Sequence, residues 1–118
     1  MDIAFTDREA DVMRVLWDHG SSSVAEVRSA LTDRLAYTTV LTILRVLEGK
    51  GYVDHAEAGR GYRYFAAVPE QAAQKSAVRH LTAKLFKGSP ELLFAHLVSE
   101  QKLTAEQIRR IKKLLSKP

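Results

Sequence analysis

Along the first fifty positions apolar residues recur at helical spacing, then they alternate, and from Pro69 onward helical spacing returns. Thr6-Asp7-Arg8-Glu9 has the form of a capping box, in which the threonine caps the third amide and Glu9 reaches back, so it predicts the start of a helix. That helix carries Ala10, Met13, Leu16 and Trp17 on one stripe, widened by Val12 and Val15, and Gly20 ends it just after His19. Ser23-Val24-Ala25-Glu26 repeats the box and opens a shorter helix with Val24, Val27 and Leu31 inward. The stretch AYTTVLTILRVL, Ala36 to Leu47, is rich in β-branched residues, which favours a strand. Its spacing favours a helix, because Val40, Ile43, Leu44 and Leu47 fall at i, i+3, i+4 and i+7 and strict alternation fails at Ile43-Leu44. We read it as a helix that ends at Gly49-Lys50-Gly51.

The period then changes. Residues 52–58 and 62–66 read as two strands around Gly59-Arg60-Gly61, a hairpin whose tip projects Arg60. Three helices followed by a hairpin make a winged helix-turn-helix, with the second and third helices as the turn motif and the hairpin as the wing. Beyond Pro69 three more helices are predicted. One spans 70–86 with Val78, Leu81 and Leu85; one is capped by Ser89 with Pro90 first, and carries Leu92, Leu93 and Leu97; the last opens with the capping box Thr104-Ala105-Glu106-Gln107 and is striped by Ile108, Ile111 and Leu115. A tail of about 50 residues is too small to bury three apolar stripes by itself. A second copy of the chain would complete its core, which predicts a homodimer through these nine residues. The expected architecture is mainly α with a small β-hairpin wing: an N-terminal winged-helix domain over 1–68 and a C-terminal helical dimerisation domain over 69–118.

Composition narrows the class. At 118 residues and 46% hydrophobic content the chain has the makeup of a globular protein. There is no cysteine, which removes disulfides and thiolate metal sites, and no run approaches the roughly 18 apolar residues of a membrane span. With a polar, acidic N-terminus unlike a signal peptide, a cytoplasmic protein is expected. The net charge of +4 does not locate a nucleic-acid surface, because residues 1–66 hold eight Lys+Arg against ten Asp+Glu, a net of −2, whereas 67–118 hold ten against four, a net of +6. Individual positions have to do that.

Catalytic chemistry finds little support. Ser21-Ser22-Ser23 lacks a nucleophile-elbow context and reads as connector and cap; the four histidines 19, 55, 80 and 96 are scattered without metal-ligand spacing. No catalytic group, cofactor or metal is expected. The third helix is different. A helix whose outer face merely meets water favours Lys, Glu and Gln, whereas this one presents Thr38, Thr39 and Thr42, with Leu41 and Arg45 alongside. Threonines are short, bond phosphates or base edges, and offer methyls to thymine, so this face is expected to read DNA. Arg60, with Tyr62 and Arg63 beside it, is expected to reach phosphate or the minor groove. The alternatives are a winged-helix module that docks a protein through the threonine face, and a small hydrolase using Ser22 or His96.

The order and spacing of FTDREADVMRVLW, SSVAEVRSAL, LAYTTVLTILRVLEGKGYV, GRGYRYFA, GSPELLFAHLV and LTAEQIRRIKKLL resemble the bacterial penicillinase-repressor family, the BlaI/MecI type, over nearly the whole chain. The resemblance implies a homodimeric winged-helix repressor that reads TACA/TGTA-type operator half-sites through its third helix and dimerises through its C-terminal helices. Thr38, Thr39 and Thr42 match positions that face the major groove, and Arg60 matches the wing. Val46 stands where the family usually has arginine, so one phosphate contact is missing. Family members that respond to β-lactams are cleaved in the C-terminal domain by a membrane sensor-protease system, commonly at Asn-Phe; the matching pair here is His96-Leu97. Copper-responsive relatives carry cysteines in the tail, which this chain lacks.

Overall fold

The computed structural model describes residues 2–101 and 103–116. The elements run α1 (Asp7–His19), α2 (Val24–Ala30), α3 (Tyr37–Gly49), β1 (Val53–Ala58), β2 (Gly61–Ala66), α4 (Glu70–Leu85), α5 (Pro90–Gln101) and α6 (Ala105–Leu115). The chain is therefore mainly α with a small hairpin wing. It forms two compact units, Met1–Ala77 and Val78–Pro118, which divide inside α4. Pro69 immediately precedes that helix, and the helix's first half lies with the N-terminal unit, where Ala73 and Ser76 are buried.

Both capping boxes of the N-terminal unit are formed. The Thr6 hydroxyl accepts from the Glu9 amide at 3.2 Å while the Glu9 carboxylate accepts from the Thr6 amide at 2.8 Å, and Ser23 and Glu26 repeat the pair. Val12, Met13, Val15 and Leu16 of α1, Val24 and Val27 of α2, and Val40, Leu44 and Leu47 of α3 meet in one core, joined by Val53, Tyr64 and Val68. Two members of the expected α1 stripe are less deeply placed: Ala10 is half-buried, and Trp17 is half-buried with its indole Nε1–H donating to the Val68 carbonyl at 2.9 Å. Leu31 follows the end of α2 and packs partly buried against the core.

The strands pair antiparallel with Val53 opposite Ala66 and Ala58 opposite Gly61, leaving a two-residue tip of Gly59 and Arg60. Gly59 has φ +62°, which suits the first central position of such a tight hairpin. The root of the hairpin is tied to the α1–α2 connector, where Ser22 and Tyr64 exchange backbone hydrogen bonds of 2.9 and 2.8 Å.

Two interactions clamp parts of the unit that are far apart in sequence. The fully buried Ser76 hydroxyl accepts from the Ile3 amide at 2.9 Å and donates to the Ile3 carbonyl at 3.1 Å, fixing the N-terminal segment. Phe5 then stacks edge-on against Trp17 and Tyr52. Lys50, just past α3, donates to the buried Glu9 carboxylate at 2.8 Å. Burial pushes the Glu9 carboxyl up, but Lys50 and the Thr6 amide outweigh it and hold it below its ordinary 4.5.

In the C-terminal unit, α6 carries a third capping box, Thr104 with Gln107. Its apolar side chains are poorly covered. Leu85 is 68% and Leu115 79% exposed, and Val78, Leu81, Phe94, Leu97 and Leu114 are exposed as well.

Ser76→Ala leaves the buried Ile3 amide without a partner and is expected to lower unfolding stability by about 1–3 kcal/mol, read from the urea midpoint, with faster amide exchange at Ile3. The depressed Glu9 carboxyl contributes stability above its unfolded value near 4.5 that is lost as pH falls through the lower folded value. Glu9→Gln is expected to flatten the acid side of the stability curve, measured by urea unfolding from neutral pH downward.

Candidate nucleic-acid interface

One side of α3 is consumed by the core and the other is bare. Val40, Leu44 and Leu47 are fully buried, whereas Thr38, Thr39, Thr42, Arg45 and Val46 are exposed and Leu41 is half-buried at the edge. Ala36 precedes the helix and supplies no side-chain cap. The first amides of α3 therefore stay open to an acceptor from outside, a phosphate oxygen being one that suits them. Within the helix the Thr42 hydroxyl donates to the Thr38 carbonyl at 2.8 Å. This bond commits the Thr42 proton to the backbone, so its methyl and the acceptor side of its oxygen are what remain for a ligand.

The wing completes the surface. Tyr37, Leu41 and Arg45 of α3, Arg60, Gly61, Tyr62 and Tyr64 of the hairpin, and Ser23, Val24 and Ala25 at the start of α2 line one groove of about 360 Å³. Four of the residues expected to meet DNA, Leu41, Arg45, Arg60 and Tyr62, thus share a groove. The strand pleat explains the selection. Tyr62 and Tyr64 alternate with Arg63 along β2, so the two tyrosines face α3 and Arg63 faces away.

Arg63 is the departure from expectation. Its guanidinium donates to the Ser21 carbonyl at 2.6 Å and pairs with Glu26 at 3.0 Å, fastening the hairpin to the start of α2. Glu26 is held below its ordinary carboxyl value by the Ser23 amide, with Arg63 adding to the effect. The structure gives Arg63 a fastening role and does not bring it to the groove.

Several groups of this surface were not legible in the sequence. Tyr37 is 48% exposed at the first turn of α3 and lines the groove. Tyr64 is buried at the floor of the groove; burial pushes its phenol above 10.0, Glu48 adds to this, and the Arg45 guanidinium beside it works the other way. Arg45 and Tyr64 line the groove together. His55 on β1 bonds through Nδ1 to Glu48 at 2.7 Å and stacks edge-on against Tyr62, centroids 4.9 Å apart, which ties the wing to the end of α3. Asp54, Glu48 and His55 offer ligand atoms within 4.8 Å of one another, and the Glu48–His55 bond together with the Asp54 bond to the His55 amide accounts for the cluster.

Of the residues expected at a dimer contact, Val78, Leu81, Leu85, Leu92, Leu97 and Leu115 are exposed, while Leu93, Ile108 and Ile111 are half-buried. The His96–Leu97 bond lies inside α5, with the His96 ring edge-on to Phe86 at 5.3 Å. Among the described residues no helix is long and apolar enough to cross a membrane.

Comparison with known proteins places this geometry among repressors. Residues 5–117 match the family profile of the penicillinase repressor. The chain is 24% identical to the penicillinase repressor of Bacillus licheniformis over 112 residues, covering 93% of this chain and 88% of the relative. It is 21% identical to the methicillin resistance regulatory protein MecI of Staphylococcus aureus strain N315, covering 92% and 90%. Among solved structures it is similar to the monomeric form of Bacillus licheniformis BlaI in complex with the blaP half-operator, with 32% identity, a TM-score of 0.52, and coverage of 60% of this chain and 89% of that one. Wild-type MarR of E. coli, in its apo form, shares the fold at 18% identity and a TM-score of 0.53, covering 94% and 76%.

If Arg63 fastens the wing, Arg63→Ala is expected to lower unfolding stability by about 1 kcal/mol. The salt dependence of any DNA binding should stay as in the parent chain, and a titration at several salt concentrations checks the separation of the two roles.

Proposed function

Because the chain belongs to the penicillinase repressor family, a family of DNA-binding transcriptional repressors and not of enzymes, we propose that it acts as a homodimer occluding palindromic operators of TACA/TGTA type. α3 enters the major groove by its N-terminal turns, where Thr38, Thr39 and Thr42 meet bases and phosphates, and Arg60 reaches the backbone or the minor groove from the wing. The observation that carries the reading is the groove shared by Arg45 of α3 and Arg60 of the wing, beside a helix face whose side chains are short enough for the backbone to come close to a duplex. Bulk charge would not have supported it, since this half of the chain is net negative. What counts is that two cations, Arg45 and Arg60, line the wing-side edge of the threonine face.

Dimerisation runs through Val78, Leu81 and Leu85 of α4, Leu92, Leu93 and Leu97 of α5, and Ile108, Ile111 and Leu115 of α6. The exposure of six of them, Val78, Leu81, Leu85, Leu92, Leu97 and Leu115, supports it, because aliphatic surface of that extent in so small a unit gains stability only when covered. Two recognition helices then lie about one DNA turn apart, roughly 34 Å, which matches a palindrome. Release from DNA follows cleavage near His96-Leu97 within a membrane sensor-protease pathway, and the protein works in the cytoplasm with its operator. Since that bond sits inside α5, cleavage requires α5 to open locally first.

Binding of the protein to a palindromic TACA/TGTA duplex and to scrambled DNA of equal length, across a salt series, tests the reading. Preference for the operator by about 10³ or more, with two chains bound, is expected. Arg60→Ala is expected to weaken binding to both DNAs and reduce the salt slope by about 1, whereas Thr39→Ala erodes only the discrimination. Absence of DNA affinity, with salt-insensitive capture of a protein by the threonine face, would replace it with a protein-docking module.

A further inference from the structure

Helix propensity does not account for Val46. It sits on the bare side of α3, 44% exposed, in the half of the helix where a good helix former such as Lys or Glu would be favoured by propensity. Its neighbours explain it. At 3.6 residues per turn Thr39, Thr42 and Val46 fall within an arc of about 60°, so they form one stripe along the edge of α3 that is turned away from the wing. The opposite edge is Tyr37, Leu41 and Arg45, which line the groove with the hairpin. Within the stripe the Thr42 hydroxyl is bonded back to the Thr38 carbonyl at 2.8 Å. That bond fixes the side chain of the exposed Thr42 and leaves its methyl unengaged. Gly49 continues the same face with open space around it, so nothing shields the end of the stripe. The face is thus divided lengthwise: cationic and aromatic toward the wing, lined with methyl groups on the other side.

We infer that the stripe of Thr42 and Val46 reads thymine through its C5 methyl in the major groove, and that Val46 is a specificity-determining residue of this chain. This rests on the reading of α3 as a DNA-recognition helix. The chemistry favours thymine over the other bases, since in the major groove only thymine carries a methyl group, beside its O4 acceptor, while the edges of the other three present donors and acceptors without one. A valine offers no donor or acceptor and would leave those unpaired, which disfavours them. A charged side chain at this position would contact phosphate and strengthen binding to every sequence equally. Val46 instead gives up general affinity for selectivity.

The test begins with a pool of duplexes randomised over a palindromic window, from which the full-length protein selects its preferred sequence. In that sequence each thymine is then replaced singly by deoxyuridine, which removes the methyl and leaves base pairing intact. A buried methyl-sized group corresponds to about fourfold in affinity. One deoxyuridine position is expected to weaken the parent chain by about fourfold per half-site, and Val46→Ala is expected to show no loss at that same position. Alanine is the better helix former and the site is exposed, so the variant keeps the fold. Val46→Arg is expected to bind selected and scrambled DNA more nearly alike, with a steeper salt slope. If a sequence is enriched but no deoxyuridine position separates the parent from Val46→Ala, the methyl reading is overturned and the repressor reading stands. If no sequence is enriched, the recognition-helix premise fails and the inference with it.

Discussion

Everything the N-terminal unit does hangs on the burial of one side of α3. Val40, Leu44 and Leu47 are fully enclosed against Val12, Met13 and Leu16 of α1 and Val27 of α2. Each such side chain contributes on the order of 1.5–3 kcal/mol when taken out of water. The helix needs this, because it has three threonines, two valines and an isoleucine in its body and no side-chain cap, a composition that forms helix poorly in isolation. Its helicity is held by packing. The same packing leaves its outer side free to carry residues chosen for something other than helix stability.

The wing is held in a comparable way, from its root and not its tip. Val53 and Tyr64 are buried, Ser22 and Tyr64 share two backbone hydrogen bonds, and Arg63 reaches Ser21 and Glu26 on the far side of the pleat. His55 and Glu48 join the near side to the end of α3. The backbone at Arg60 therefore rides on a short lever whose base is fixed on both faces.

The C-terminal unit contrasts with this. It has three well-signalled helices, including one with a complete capping box, yet its leucines on α4, α5 and α6 stay largely exposed. Local signals suffice to form helices, and a core needs more facing surface than these elements provide for one another. Residues that would be idle in a monomer acquire a use when a second apolar surface covers them.

The elements themselves were legible from the sequence because each depends on neighbours in the chain: capping boxes at Thr6, Ser23 and Thr104, glycines at 20 and 59, and the change of period after Gly51. So was the bare threonine face of α3, since helical periodicity places it opposite the leucines. What tertiary structure alone decided are the pairings between distant positions. Ser76 with Ile3, Lys50 with Glu9, and Arg45 with Tyr64 join residues whose types are common and whose spacing carries no pattern. The strand pleat sorted Tyr62 toward the groove and Arg63 away from it, although in sequence they are adjacent. Periodicity reports which side of an element is apolar; which charged group on the other side is free depends on what the fold brings next to it.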